Sequence, residues 1–176
     1  MATKKTALTV AVFAAYIATI PLANWWLDTF GFWDLPGLGM VASGVIWAGL
    51  ALCLRDVAQL LTNKWATIPA ILVGAAISYA VSDPFIAKAS AVAFLLSELL
   101  DWSIYTPLAR RRFVAAVAAS SMAGGMLDSA VFLHIAFDST DGWWQLAVVK
   151  FAVIAAFLPV AWWTRRVVAR YVTESA

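Results

Sequence analysis

The sequence predicts an all-α integral membrane protein of six spanning helices, and three observations predict it. Hydrophobic residues make up 64% of the 176 positions and charged residues only 12%, where a soluble domain carries about 25% charged residues. The mean hydropathy is +0.86. The apolar residues gather into six segments, each near the ~20 residues needed to cross hydrocarbon. The charges between segments alternate in sign, basic at one end of the bundle and acidic at the other.

The segments follow in order. The first runs over residues 7–26 and ends in Asn24-Trp25-Trp26. Its leader MATKKTALTV looks like the start of a signal peptide, but the apolar run outlasts such a region, so it reads as an uncleaved first helix. After the loop LDTFGFWDLPG comes residues 38–61, whose last turns carry Arg55 and Asp56. Thr62-Asn63-Lys64 turns the chain into residues 65–81, and Ser82-Asp83-Pro84 breaks it again, with Pro84 suited to a first helical turn. Residues 85–108 form the fourth segment, Arg110-Arg111-Arg112 the next connection, and residues 113–137 the fifth segment. The loop DSTDG leads to residues 143–163, and a short basic tail follows. One six-helix domain over residues 1–176 accounts for the chain, with no internal repeat evident.

Lys4, Lys5, Lys64, the three arginines and the tail's Arg165, Arg166 and Arg170 all fall on one side. Asp28, Asp34, Asp83, Asp138 and Asp141 fall on the other, with Lys88 the only base nearby. Positive charge marks the cytoplasmic side, so both termini are expected there, in a multi-pass protein of the cell (inner or plasma) membrane. An even number of spans is then required, and six meets it. Many of the ten tryptophans fall at segment ends, where the indole favours the membrane–water boundary. The single cysteine, Cys53, excludes an internal disulfide and reads as a small buried hydrophobe.

Two segments carry acids in their interiors, where an ionised group costs at least ~2.5–3.5 kcal/mol on insertion scales. Glu98 and Asp101 are three apart and share a helix face, with Glu98 ~20 Å deep from the outer end. Asp128 shares a face with Ser121, seven residues earlier, and Phe132, four later. A carboxylate, a hydroxyl and a ring together suit a planar polar ligand. The small residues Ser120, Ser121, Gly124 and Gly125 suit close helix packing. Lys150 enters the sixth segment at a depth similar to that of Asp128, so the two are expected within reach of each other. Lys88 is expected to snorkel outward, and Arg55 toward the inner interface. Asp56 and Gln59, three apart, are placed to face the bundle, and Asn24 adds an amide near the outer end of the first segment. His134, the only histidine, reads as an interface residue. No Cys/His cluster suggests a metal, and no P-loop or dinucleotide glycine pattern is present, so no cofactor is expected. Ser129, His134 and Asp128 have no spacing that supports nucleophilic catalysis. The basic runs act as orientation signals, and no nucleic-acid partner is expected.

Three blocks, LCLRDVAQLL (Leu52–Leu61), SAVAFLLSELLDWSIYTPLARRR (Ser90–Arg112) and SSMAGGMLDSAVFLHIAF (Ser120–Phe137), together with VVKF around Lys150 and Asn24-Trp25, resemble the vitamin uptake transporter family, also called queuosine precursor transporters. The likeness covers most of the chain. It departs where that family often carries a glutamate soon after the second-helix aspartate, since Gln59, Leu60 and Leu61 stand there. The resemblance implies a compact six-helix importer of a 7-deazapurine such as 7-cyano-7-deazaguanine, working alone as a secondary transporter and not as an enzyme.

A guanine-like edge sets an N–H beside an exocyclic amine, and one carboxylate accepts both. Asp128 and Glu98 are therefore the expected ligand acids, with Asp101 as a further ligand or a proton carrier. Phe132, Tyr105 and Trp102 offer rings for stacking, and Ser121, Asn24, Asp56, Gln59 and Lys150 complete the candidate site. Three other readings remain open from sequence. One is the substrate-binding subunit of an energy-coupling-factor importer, which would need ATPase partners. Another is a membrane enzyme using Glu98 and Asp101 as acid and base. The last is a pore or assembly protein. Self-association into a homo-oligomer is also left open.

Overall fold

Residues that cannot continue a helix set the ends of the apolar runs. The Asn63 carboxamide oxygen accepts from the backbone N–H groups of Trp65 and Ala66 at 2.9 and 3.1 Å, capping the helix that follows. Asp138 takes a left-handed conformation, φ 51°, and its N–H closes onto the His134 carbonyl, which ends another. The computed structural model describes residues 2–81 and 84–173. The Ser82-Asp83 break read from the sequence lies outside the described residues.

Within them the order is α1 (Ala2–Phe30), β1 (Phe32–Leu35), β2 (Gly39–Ala42), α2 (Val45–Leu61), α3 (Lys64–Val81), α4 (Pro84–Leu108), α5 (Phe113–Phe137) and α6 (Trp143–Thr173). The third to sixth segments begin within a residue of where the sequence places them. The first and last helices run longer, to Phe30 and Thr173.

The second segment departs from expectation. Residues 38–44 are not helical; Gly39–Ala42 pair antiparallel with Phe32–Leu35, Phe32 opposite Ala42 and Leu35 opposite Gly39. The connection is a tight turn in which the Leu38 N–H donates to the Leu35 carbonyl at 2.9 Å. Pro36 occupies its second position and Gly37, at φ 79°, its third, a position that needs positive φ. Hydropathy cannot register this, because the strand residues Met40, Val41 and Ala42 are as apolar as a span. The all-α expectation is corrected to that extent.

Helix α2 is the axis of the bundle and packs against all five other helices. It begins hard against α1: a Cβ on Gly44 would lie 2.2 Å from the Ala23 carbonyl oxygen, so only glycine fits. Val41, Ala42 and Val45 pack with Leu133 and Leu146 at the hairpin end. Val57, Leu61, Tyr105, Phe113 and Val117 pack at the other end.

Among the described residues, three helical stretches are long and apolar enough to cross a membrane by themselves: Thr6–Phe30, Phe113–Phe137 and Trp143–Val168. Large apolar side chains face outward on several helices, among them Val10, Trp65, Leu72, Tyr79, Val160 and Trp163. Such a surface suits lipid. Helix α2 has only 17 residues and includes Arg55 and Asp56, and α4 carries Lys88, Glu98 and Asp101. Arg55, Asp56, Glu98 and Asp101 pair with one another across the two helices, so the apolarity of α2 and α4 need not match that of the outer helices.

Candidate functional site: a sealed ion cluster and an adjoining hollow

The polar residues singled out from the sequence divide into two groups. The first centres on Arg55, which is fully buried. The expectation that it snorkels to the interface is corrected: α4 lies alongside and offers two acids on one face. Arg55 Nε donates to Glu98 Oε2 at 3.2 Å, and its Nη2 meets Asp101 Oδ1. Its Nη1 reaches back to Asp56 Oδ1 at 2.8 Å and also donates to Gln59 Oε1 at 3.3 Å. Asp56 and Arg55 leave the helix in different directions, and the length of the arginine closes the gap. The guanidinium carbon lies 5.5 Å from the centre of the Tyr105 ring.

Helix α5 supplies hydroxyls to the second oxygens of Asp56 and Asp101. Ser120 donates to Asp56 Oδ2 at 3.2 Å and Ser121 to Asp101 Oδ2 at 3.4 Å. Gln59 in turn donates to Thr106 at 3.1 Å. Asp56, Glu98, Asp101, Ser120 and Ser121 are all fully buried.

The second group centres on Lys150 of α6, buried except for about 1% of its surface. Its ammonium pairs with Asp128 Oδ2, donates to Ser129 Oγ at 2.8 Å, and reaches the Gly125 carbonyl at 3.4 Å. Ser97 donates to the other oxygen, Asp128 Oδ1, at 3.5 Å. Unlike the acids around Arg55, the Asp128 side chain keeps 18% of its surface open.

That opening faces a half-open hollow of about 80 Å³. Asp128, Lys150, Asn24, Phe132, Phe94 and Ser78 are among its lining groups. Ala42, Gly44 and Val45 line it too, which places it at the hairpin end of the bundle. Asn24 Nδ2 donates to Ser78 Oγ across its wall at 3.4 Å.

The candidate residues therefore separate. Asn24, Asp128, Phe132 and Lys150 line the hollow. Asp56, Gln59, Glu98, Asp101, Ser121 and Tyr105 belong to the Arg55 cluster and do not. Ser121 does not join Asp128 and Phe132 in one site, because its hydroxyl is drawn to Asp101. Trp102 is not placed to stack on a solute in the hollow; its indole N–H donates to the Lys64 carbonyl at 2.9 Å, beside the Trp65 ring. The sequence reading missed Arg55 as a hub, and with it Tyr16, Ser78, Ser97 and Phe94. Arg55 and Gln59 are four apart, and that spacing was the one available sign that Arg55 faces inward.

A helical bundle with lipid-suited outer faces, charged groups enclosed within it and a polar-floored hollow defines a membrane protein of the solute-handling class. The comparison with known families fits that class. Residues 38–168 match the family described as "Putative vitamin uptake transporter", and the chain belongs to that family. Neither the curated proteins nor the solved structures yielded a match.

Proposed function

We propose that the protein is a stand-alone importer of a queuosine precursor, a 7-deazapurine such as 7-cyano-7-deazaguanine, with six spans in the inner or plasma membrane and both termini in the cytoplasm. The observation that carries this reading is the partly open Asp128 carboxylate at the floor of a hollow with phenylalanine rings in its wall.

The chemistry fits a flat, nitrogen-rich solute. Lys150 pairs with Asp128 and fixes its orientation, and the carboxylate edge toward the hollow can accept two adjacent N–H donors at once. Phe132 presents an apolar face to a bicyclic ring. The Asn24 carboxamide supplies a donor and an acceptor for the ring's remaining polar atoms. On this reading the hairpin end, and so the hollow, faces the outer side, which the alternation of charge along the chain supports. No covalent step is needed, and the solute crosses unchanged.

Uptake of labelled 7-cyano-7-deazaguanine into cells lacking their own importer tests the proposal. Accumulation of the unaltered compound is the expected result, without added ATPase subunits. Full-rate uptake by an Asp128→Asn variant that inserts normally would overturn the assignment. So would a strict requirement for energy-coupling ATPase subunits.

A further inference from the structure

The substrate reading leaves the Arg55 cluster unused, and the charges there do not balance. One guanidinium faces three carboxylates, all enclosed. Fully ionised, the group would hold two negative charges in excess where water is excluded, at several kcal/mol per unpaired ion. The neighbouring cations are committed elsewhere. Lys150 of α6 is held by Asp128, and Arg165 of α6 lies 5.2 Å from the centre of the Phe113 ring. The other titratable groups around the cluster bring no positive charge: Tyr16 from α1, Cys53 from α2, Tyr105 from α4 and, farther off, Asp128 from α5.

The three acids are not equivalent. Asp56 has Arg55 in ion-pair contact with one oxygen and the Ser120 hydroxyl on the other. Asp101 has Arg55 in ion-pair contact with one oxygen and the Ser121 hydroxyl on the other. Glu98 has Arg55 on Oε2 only; its Oε1 is buried without a hydrogen bond. Beside Glu98 lies Tyr16, on a fully buried side chain. One proton added to the oxygen that Arg55 does not reach removes a unit of the excess charge.

We propose that Glu98 is a proton-binding site, taking a proton on Oε1 toward Tyr16, and that its loading and release couple import to proton entry. The step forms one O–H bond and converts the carboxylate to a neutral acid; on release the proton passes to water. A metal cation suits the place poorly, since the guanidinium already occupies the point between the carboxylates and would repel it. The link to the hollow is short. Ser97, next to Glu98 in the chain, donates to the carbonyl of Phe94 at 3.0 Å and lies 3.5 Å from Asp128 Oδ1, and both Phe94 and Asp128 line the hollow. The coupling part of this inference rests on the importer reading, whereas the proton site does not.

Infrared spectroscopy of the purified full chain in lipid, without solute, tests the site. Wild-type protein shows a protonated-carboxyl carbonyl band that shifts in D2O and is missing from Glu98→Gln. Absence of such a band at every pH at which the protein stays folded overturns the proposal. So does a band that persists in Glu98→Gln. Where that variant does not fold, Tyr16→Phe serves, and a band left unmoved by it overturns the placement on Oε1. Proteoliposomes supplied with labelled 7-cyano-7-deazaguanine from outside test the coupling. One proton moving down 100 mV corresponds to about 2.3 kcal/mol, or roughly fiftyfold accumulation of a neutral solute. Wild-type protein is expected to approach this under an acid-outside gradient and to lose it with an uncoupler. Glu98→Gln is expected to exchange solute across the membrane without accumulating it. Accumulation driven by a sodium gradient with no proton dependence overturns the coupling. If no deazapurine moves at all, the importer reading fails, and the infrared result still decides the proton site.

Discussion

The two charged centres are built from the same kinds of residue and differ in what surrounds them. Around Arg55, every acid is fully enclosed and the serine hydroxyls of α5 cover the second oxygens of Asp56 and Asp101. Around Lys150, the ammonium is enclosed but its acid partner keeps one edge open to a hollow. The lesson is that an ionisable residue inside a membrane bundle is only the beginning of a functional argument. Whether an acid can meet a solute is decided by the side of it left uncovered.

The largest effect should come from removing the hub. Arg55→Met leaves three enclosed acids without their cation. Stripping one partner from a buried pair costs about 3–5 kcal/mol, so poor insertion or a strongly lowered melting temperature in detergent is expected. Normal yield and stability would mean that the cluster is not held together as described. Asp128→Asn should act the other way round. Lys150 keeps Ser129 and the Gly125 carbonyl, so most of the fold should survive, whereas a charged hydrogen bond to the solute is lost. With about 1.5–3 kcal/mol at stake, binding should weaken roughly 10- to 100-fold, measured as the deazapurine concentration needed for thermal stabilisation.

Gly44→Ala tests the wall that the hollow shares with α1. The added methyl has backbone, not a flexible side chain, in its way. A destabilisation of about 1–3 kcal/mol is expected, with uptake falling alongside it. The finest contrast is between two serines. Ser120→Ala deprives an enclosed oxygen of Asp56 of its donor, for a loss of about 1–3 kcal/mol. Ser97→Ala removes a bond at the 3.5 Å limit to an acid that the hollow can hydrate, and its effect on melting should stay below about 1 kcal/mol. Equal effects would erase the distinction between the sealed and open centres.

Much of the architecture was legible in the sequence because apolar length and interrupting residues act locally. The stretch 113–137 is bounded by arginines on one side and Asp138 on the other, and α5 occupies it. The meeting of Lys150 with Asp128 followed from their similar depth on helices entering from the same end. What escaped depends on contacts distant in sequence or on backbone conformation. Arg55 lies near enough to a helix end to suggest a surface position, and only the acids of α4, 43 residues on, draw it inward. The hairpin escaped because its apolar strand reads as the start of a span. The division of ten candidate residues between two centres was equally hidden, since Ser121 and Asp128 share a helix yet answer to different charges.

The shortness of α2 has an electrical consequence. Its 17 residues rise about 25 Å, less than the ~30 Å hydrocarbon thickness. The hairpin adds length at the end where the hollow lies. Under the proposed orientation, solution entering the hollow would carry the potential of the outer side with it and compress the voltage drop into the remaining insulating layer. In that layer lies Arg55 with its acids, and a charge displaced there by a few ångströms traverses a disproportionate share of the transmembrane field.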